Sequence, residues 1–234
     1  MTAADTPEWA AIADSAARLV ATARALTEDV LHEPSALPGW TRAHILTHVA
    51  QAADSRTGLL RAAQAGRIGQ QYPSEQARAD AIDAGVRRPA GIIRADLDRA
   101  IQECLIAIRE HPSQLWDAPA ILLHGGSQPV RRVLPGLRRE LEYHHVDLAA
   151  DYKPADWPAD FVATELSLVT GLMDRRADAP PMTLADHGML HIGTSPPVDV
   201  TGSPTAMLAW LSGRSDGSGL HTASAVLPTI PPLG

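Results

Sequence analysis

Glu140 and His144 stand four residues apart in Glu140-Leu141-Glu142-Tyr143-His144-His145-Val146-Asp147. In a helix that spacing puts a carboxylate and an imidazole on one face, one turn apart. Such a pair can close on a divalent cation. A third ligand from another helix would leave a coordination position open for chemistry. The spacing alone is served equally by a hydrogen-bonded carboxylate–imidazole pair. Glu142 has Val146 at its own i+4 position, so it lacks a partner there. His145 lies about 100° round the helix from His144, and it and Asp147 read as hydrogen-bonding residues. His44 and His48 form a second i, i+4 pair, a spacing that helical zinc sites also use. Ile45 stands where a metalloprotease helix carries its glutamate. His44, nearer the helix start, is also suited to capping.

The elements that must carry these residues follow from apolar periodicity. Ile12, Ala16, Leu19, Val20, Ala23, Leu26 and Val30 recur at helical spacing and predict one helix over 7–31, starting at Thr6-Pro7. Two prolines and a glycine break the chain before Trp40. A second helix follows to about residue 65, with Thr41 as its N-cap. Residues 66–74 read as a loop and 75–84 as a short helix. Residues 90–110 form a strongly amphipathic helix through Ile93, Leu97, Ile101, Leu105 and Ile108. The stretch 111–130, with Gly125-Gly126, is loop-like. A helix over 131–151 carries the opening motif, with Pro135 in its first turn or two. Four substantial helices suffice for an up-and-down bundle, whose core is a usual place for metal ligands from facing helices.

After a Pro-rich linker at 153–158 and a helix at 159–176, the pattern changes. Short punctuated runs at 182–185, 189–193 and 197–201 read as strands. A helix at 203–211 ends at Gly213, a last strand is expected at 220–226, and the tail 228–234 is proline-rich. The fold class expected is α+β: a helical bundle over 1–154 and a small α+β domain over 155–234.

The net charge of -7 supplies no field for phosphates and argues against broad nucleic-acid binding; the cations are almost all Arg, with Lys153 the one lysine. One cysteine, Cys104, excludes an intrachain disulfide and a Cys-rich zinc cluster; its amphipathic setting marks it as a core residue. The start lacks the pattern of a signal peptide, and no apolar run reaches transmembrane length. A cytoplasmic protein is expected, and a monomer, since no exposed apolar stripe stands out.

Four stretches in order resemble the mycothiol-dependent maleylpyruvate isomerase family, part of the wider DinB-like group of metal-binding four-helix bundles. They are Leu37-Pro38-Gly39-Trp40-Thr41-Arg42 through His48-Val49-Ala50; Tyr72-Pro73-Ser74-Glu75 to Arg78, with Ile82 and Gly85; Glu140 through Leu148; and Val200-Thr201-Gly202-Ser203-Pro204 through Trp210, Gly213 and Arg214. The resemblance implies a zinc ion, or a similar divalent cation, on His48, Glu140 and His144. It implies mycothiol as the thiol cofactor, and substrate contacts at Arg214 and Arg78. Each arginine reads equally well without it: Arg214 as a helix-end cation, Arg78 as a surface ion pair. The implied reaction is addition of a metal-bound thiolate to the cis double bond of maleylpyruvate, rotation, and elimination to fumarylpyruvate. Two rivals share the site: transfer of mycothiol or another small thiol to an electrophile, and a non-catalytic, metal-stabilised binding module.

Overall fold

A computed structural model describes residues 7–123, 126–184, 190–192, 197–223 and 226–232 of the chain. Thr6 and Gly125, named above, and residues 185, 189 and 193, at the ends of two expected strands, lie outside the described residues. Two compact units divide the chain, Met1–Ala150 and Asp151–Gly234.

The first unit holds four long helices: α1 (Pro7–Ala25), α3 (Arg42–Gln64), α5 (Ala90–Arg109) and α6 (Val133–Asp147). α1 packs on α5 and α6, and α3 on the same two, which closes a four-helix arrangement. Ile12, Leu19, Leu46, Ile93, Leu97, Ile101, Leu137 and Leu141 are buried in one continuous core. Ile12, Leu19, Ile93, Leu97 and Ile101 among them are residues whose 3.6-residue recurrence marked their helices. Cys104 is buried on α5, and burial pushes its thiol up to about 11 despite the Thr57 hydroxyl beside it.

The predicted helix over 7–31 is two helices. α1 ends at Ala25, and α2 (Glu28–Leu31) begins anew behind Thr27, whose side chain accepts the Val30 N–H. Thr27 followed by Glu28 and Asp29 is a helix-start sequence, and it overrides the apolar periodicity running across it. The Leu26 carbonyl between them is taken by Arg94.

Two stretches expected to be loops hold a small sheet. β1 (Gly69–Gln70) pairs parallel with β2 (Pro119–Leu122), which pairs antiparallel with β3 (Gly126–Pro129). Strands of two to four residues carry no readable alternation, and the parallel partner of β1 lies far along the chain. Between β1 and α5 comes α4 (Glu75–Gly85), N-capped by the Ser74 hydroxyl on Ala77 N–H at 3.0 Å.

α6 is shorter than the expected 131–151. A 3-10 turn at Val130–Arg132 precedes it, and Pro135 falls in its first turn, where no donor is missed. Its far end is held by one side chain: Arg42 Nε donates to the Leu148 carbonyl (2.8 Å) and Nη2 to that of Ala149 (3.3 Å). Ala149 itself adopts φ 51, outside the helical region.

In the second unit, α7 (Ala159–Met173) packs on α8 (Pro204–Leu211) beside a sheet of order β5-β4-β6-β7. Its strands are β4 (Met182–Leu184), β5 (Leu190–Ile192), β6 (Val198–Thr201) and β7 (His221–Thr222). β7 is far shorter than the strand expected over 220–226, and residues 224–225 lie outside the described set. α7 also stops three residues before Arg176. Among the described residues no helix is long and apolar enough to cross a membrane.

Candidate metal centre

α3 and α6 pack side by side, and His48 on the first meets Glu140 and His144 on the second. One ligand atom from each of the three lies within 4.8 Å of the others. His48 Nε2 is 2.9 Å, and His144 Nε2 3.2 Å, from the same oxygen, Glu140 Oε2. The two imidazole rings stand at 89° with centroids 4.6 Å apart, so their nitrogens converge without stacking. Among the described residues this is the only group of three such side chains so arranged.

The surrounding residues fix how each donor points. Asp147 Oδ2 lies 2.9 Å from His144 Nδ1, and a carboxylate there accepts the ring N–H and leaves the Nε2 lone pair for the centre. Arg56 Nη2 donates to Glu140 Oε1 at 3.0 Å, so Oε2 alone faces the imidazoles. Arg56 is itself buried and anchored by Nη1 on the Ala52 carbonyl at 2.9 Å. It passes close over Gly136, where an added Cβ would lie 3.2 Å from Nη2. Arg78, from α4, sets Nη2 3.1 Å from His48 Nδ1. Trp40 meets the His48 ring edge-on at 5.6 Å and stacks on His44 at 5.8 Å.

Electrostatics sort the three donors. Burial pushes the His48 pKa down to about 4, with the charges of His144 and Arg78 adding to the effect and Glu140 opposing it. His48 is therefore neutral at ordinary pH, as a metal ligand must be. Burial works against ionised Glu140, but the Arg56 guanidinium and hydrogen bonds from both imidazoles outweigh it and hold the carboxyl well below the usual range. Burial also works against protonated His144, yet Asp147 and Glu140 win and raise its pKa.

Of the residues singled out from sequence, His48, Arg78, Glu140 and His144 come together here. Arg214 stands in the second unit, just past α8, where its N–H donates to the Ala209 carbonyl (2.7 Å) and its Nη1 to that of Ser212 (3.0 Å). His44 turns to capping: its Nδ1 accepts the Thr41 N–H at 3.1 Å. His145 pairs with Thr22 across the bundle at 2.7 Å. Glu142 takes Ser15 and Arg18 of α1. Sequence reasoning missed Arg56 and the orienting role of Asp147. Asp147 lies three residues past His144, a readable signal; Arg56 has none, because its partner is 84 residues away.

The family model of the mycothiol maleylpyruvate isomerase N-terminal domain matches residues 12–149, the stretch that holds all four converging residues. None of the curated proteins matches. Among solved structures, a crystal structure of the mycothiol-dependent maleylpyruvate isomerase superposes with a TM-score of 0.92 at 22% identity, covering 99% of each chain. A histidine-to-alanine mutant of that enzyme superposes with a TM-score of 0.91, also at 22% identity and 99% coverage of each chain. At that identity the likeness speaks for the fold.

Proposed function

Because the chain belongs to the family of the mycothiol maleylpyruvate isomerase N-terminal domain, we propose that it is a metal-dependent, mycothiol-using enzyme that converts maleylpyruvate to fumarylpyruvate. The observation that carries this reading is the meeting of His48, Glu140 and His144 within 4.8 Å, inside the stretch that the family model matches. Two imidazole nitrogens and one carboxylate oxygen, oriented by Asp147 and Arg56, fit a divalent cation such as zinc with a coordination position to spare.

When bound, the cation supplies a positive charge that holds a nearby thiol deprotonated near neutral pH. Mycothiol, when bound, would supply the thiolate for reversible addition to the cis double bond of maleylpyruvate. The chain's own residues set the stage. Arg56 keeps Glu140 ionised and presents one oxygen. Asp147 keeps the proton of His144 on Nδ1. The burial of His48 excludes water from its side of the centre. Arg78 brings a guanidinium to the same place, where its fork of donors suits a substrate carboxylate and the enolate charge that grows on addition. Arg214 is our second candidate for that task.

Turnover of maleylpyruvate by the full chain with mycothiol, with and without chelator, tests the proposal. Fumarylpyruvate formation that needs both thiol and metal is expected. Conjugation of other electrophiles without isomerisation would make the protein a thiol transferase. Full activity in metal-free protein would remove the metal from the reading.

A further inference from the structure

We infer that the cleft between the end of β1 and the start of α4 is a second binding subsite, shaped for a neutral, polyhydroxylated ring; this deepens the reading above, since such a ring belongs to the non-thiol part of the thiol cofactor. The cleft holds about 240 Å³. Clefts that take drug-sized ligands run to roughly 300–1,000 Å³, so this one has room for a single ring and its hydroxyls.

Gln70, Tyr72, Ser74 and Glu75 line one side, and Ile121 and Leu123 the other. The Tyr72 hydroxyl is shut off from solvent and has no hydrogen-bond partner. With that hydroxyl sealed, the Tyr72 side chain offers the cleft no polar atom. An aromatic face beside an amide and a carboxylate matches a polyol: its C–H face lies on the ring, and its hydroxyls donate to the carboxylate and exchange hydrogen bonds with the amide. Among the described residues that line the cleft none is cationic, and Glu75 would repel an anion. The two sides are tied together by hydrogen bonds through Gln71. The Gln71 N–H donates to the Ile121 carbonyl (2.9 Å), and Gln71 Oε1 accepts the Leu123 N–H (3.1 Å).

One residue connects this cleft with the metal centre. The Arg78 guanidinium carbon lies 5.9 Å from the Tyr72 ring centroid, and Nη2 of the same group lies 3.1 Å from His48 Nδ1. A molecule with a thiol at one end and a polyol ring a few bonds away spans both places. Mycothiol, which joins a cysteine-derived thiol to a sugar and a cyclitol, has that build.

The test is calorimetric titration of the full, zinc-loaded chain with S-methyl mycothiol, whose blocked sulfur cannot form a thiolate. N-acetylcysteine serves as the probe with a thiol and no polyol. A double variant, Gln70→Ala with Glu75→Gln, alters two exposed side chains and leaves the fold and the zinc content in place. It should bind S-methyl mycothiol about tenfold more weakly, the size expected for losing one or two hydrogen bonds. Its affinity for N-acetylcysteine should not change. Tyr72→Leu should weaken S-methyl mycothiol binding independently. Unchanged affinity for S-methyl mycothiol in these variants overturns the inference. Isomerisation with an unchanged KM for mycothiol in the double variant would sink the cleft and leave the enzyme reading standing. Cleft-dependent binding in a chain without thiol-dependent isomerisation would do the reverse.

Discussion

A guanidinium has only protons to give, so Arg78 Nη2 beside His48 Nδ1 requires a lone pair on that nitrogen. The proton of neutral His48 then sits on Nε2, where it meets Glu140 Oε2 at 2.9 Å. A cation at Nε2 would need the proton moved to Nδ1, against Arg78. Arg78 and Asp147 thus bear on the metal with opposite sign. Arg78→Ala should tighten zinc binding by about tenfold, one charge-assisted hydrogen bond no longer opposing it, while isomerisation falls. Asp147→Asn should weaken zinc binding by about 10–100-fold. Competition with a chromogenic chelator reads both; a loss of affinity in Arg78→Ala would refute the opposition. The two imidazoles also divide the pH scale in the chelated protein. His48 has a lowered pKa, so the unfolded chain takes up a proton near 6.5 that the folded site refuses until about 4, and stability falls as pH drops through that window. His144 has a raised pKa, so its contribution is full below about 6.5 and is lost as pH rises through its folded value. His48→Gln should flatten the acid side only, as seen by urea unfolding at a series of pH values.

Helices are where the sequence was most legible. The spacing of Ile93, Leu97, Ile101 and Ile108 marked α5 almost to the residue, because one face of it meets the core along its whole length. Glu140 and His144 lie on one face, 3.2 Å apart, for the same reason: helical geometry is local. What was not legible depends on neighbours. The break at Thr27, the three-stranded sheet and the grip of Arg56 on Glu140 each need a partner from a remote segment. The early end of α6 is another case, set by Arg42 from the start of α3. Arg42→Ala should cost about 1–3 kcal/mol, through carbonyls left without a charged donor, and weaken zinc binding through Asp147, which lies in the loosened turn. α4 is held as closely: a Cβ on Gly85 would come within 2.4 Å of Thr47 Cγ2. Gly85→Ala should therefore destabilise by about 1–3 kcal/mol, despite alanine's better helix propensity. Chemical denaturation measures both, and a stabilised Gly85→Ala variant would show that α4 yields without cost.

At the scale of the molecule, the centre joins the two helices that the rest of the bundle flanks. A cation on His48 and Glu140 would clamp α3 to α6 in the folded chain alone. Zinc at a hundredfold excess over its Kd should thus stabilise the fold by about 2.7 kcal/mol, and chelation should reverse this. His48→Ala should keep its helix content and lose the zinc response in thermal melts. A final consequence follows from Cys104, the chain's one thiol, sealed inside α5 with its pKa pushed up to about 11. The described protein thus presents no accessible thiol for an electrophile to alkylate. Iodoacetamide added to the native protein should leave its mass unchanged, so any thiol consumed in a reaction mixture can be counted as the cofactor's.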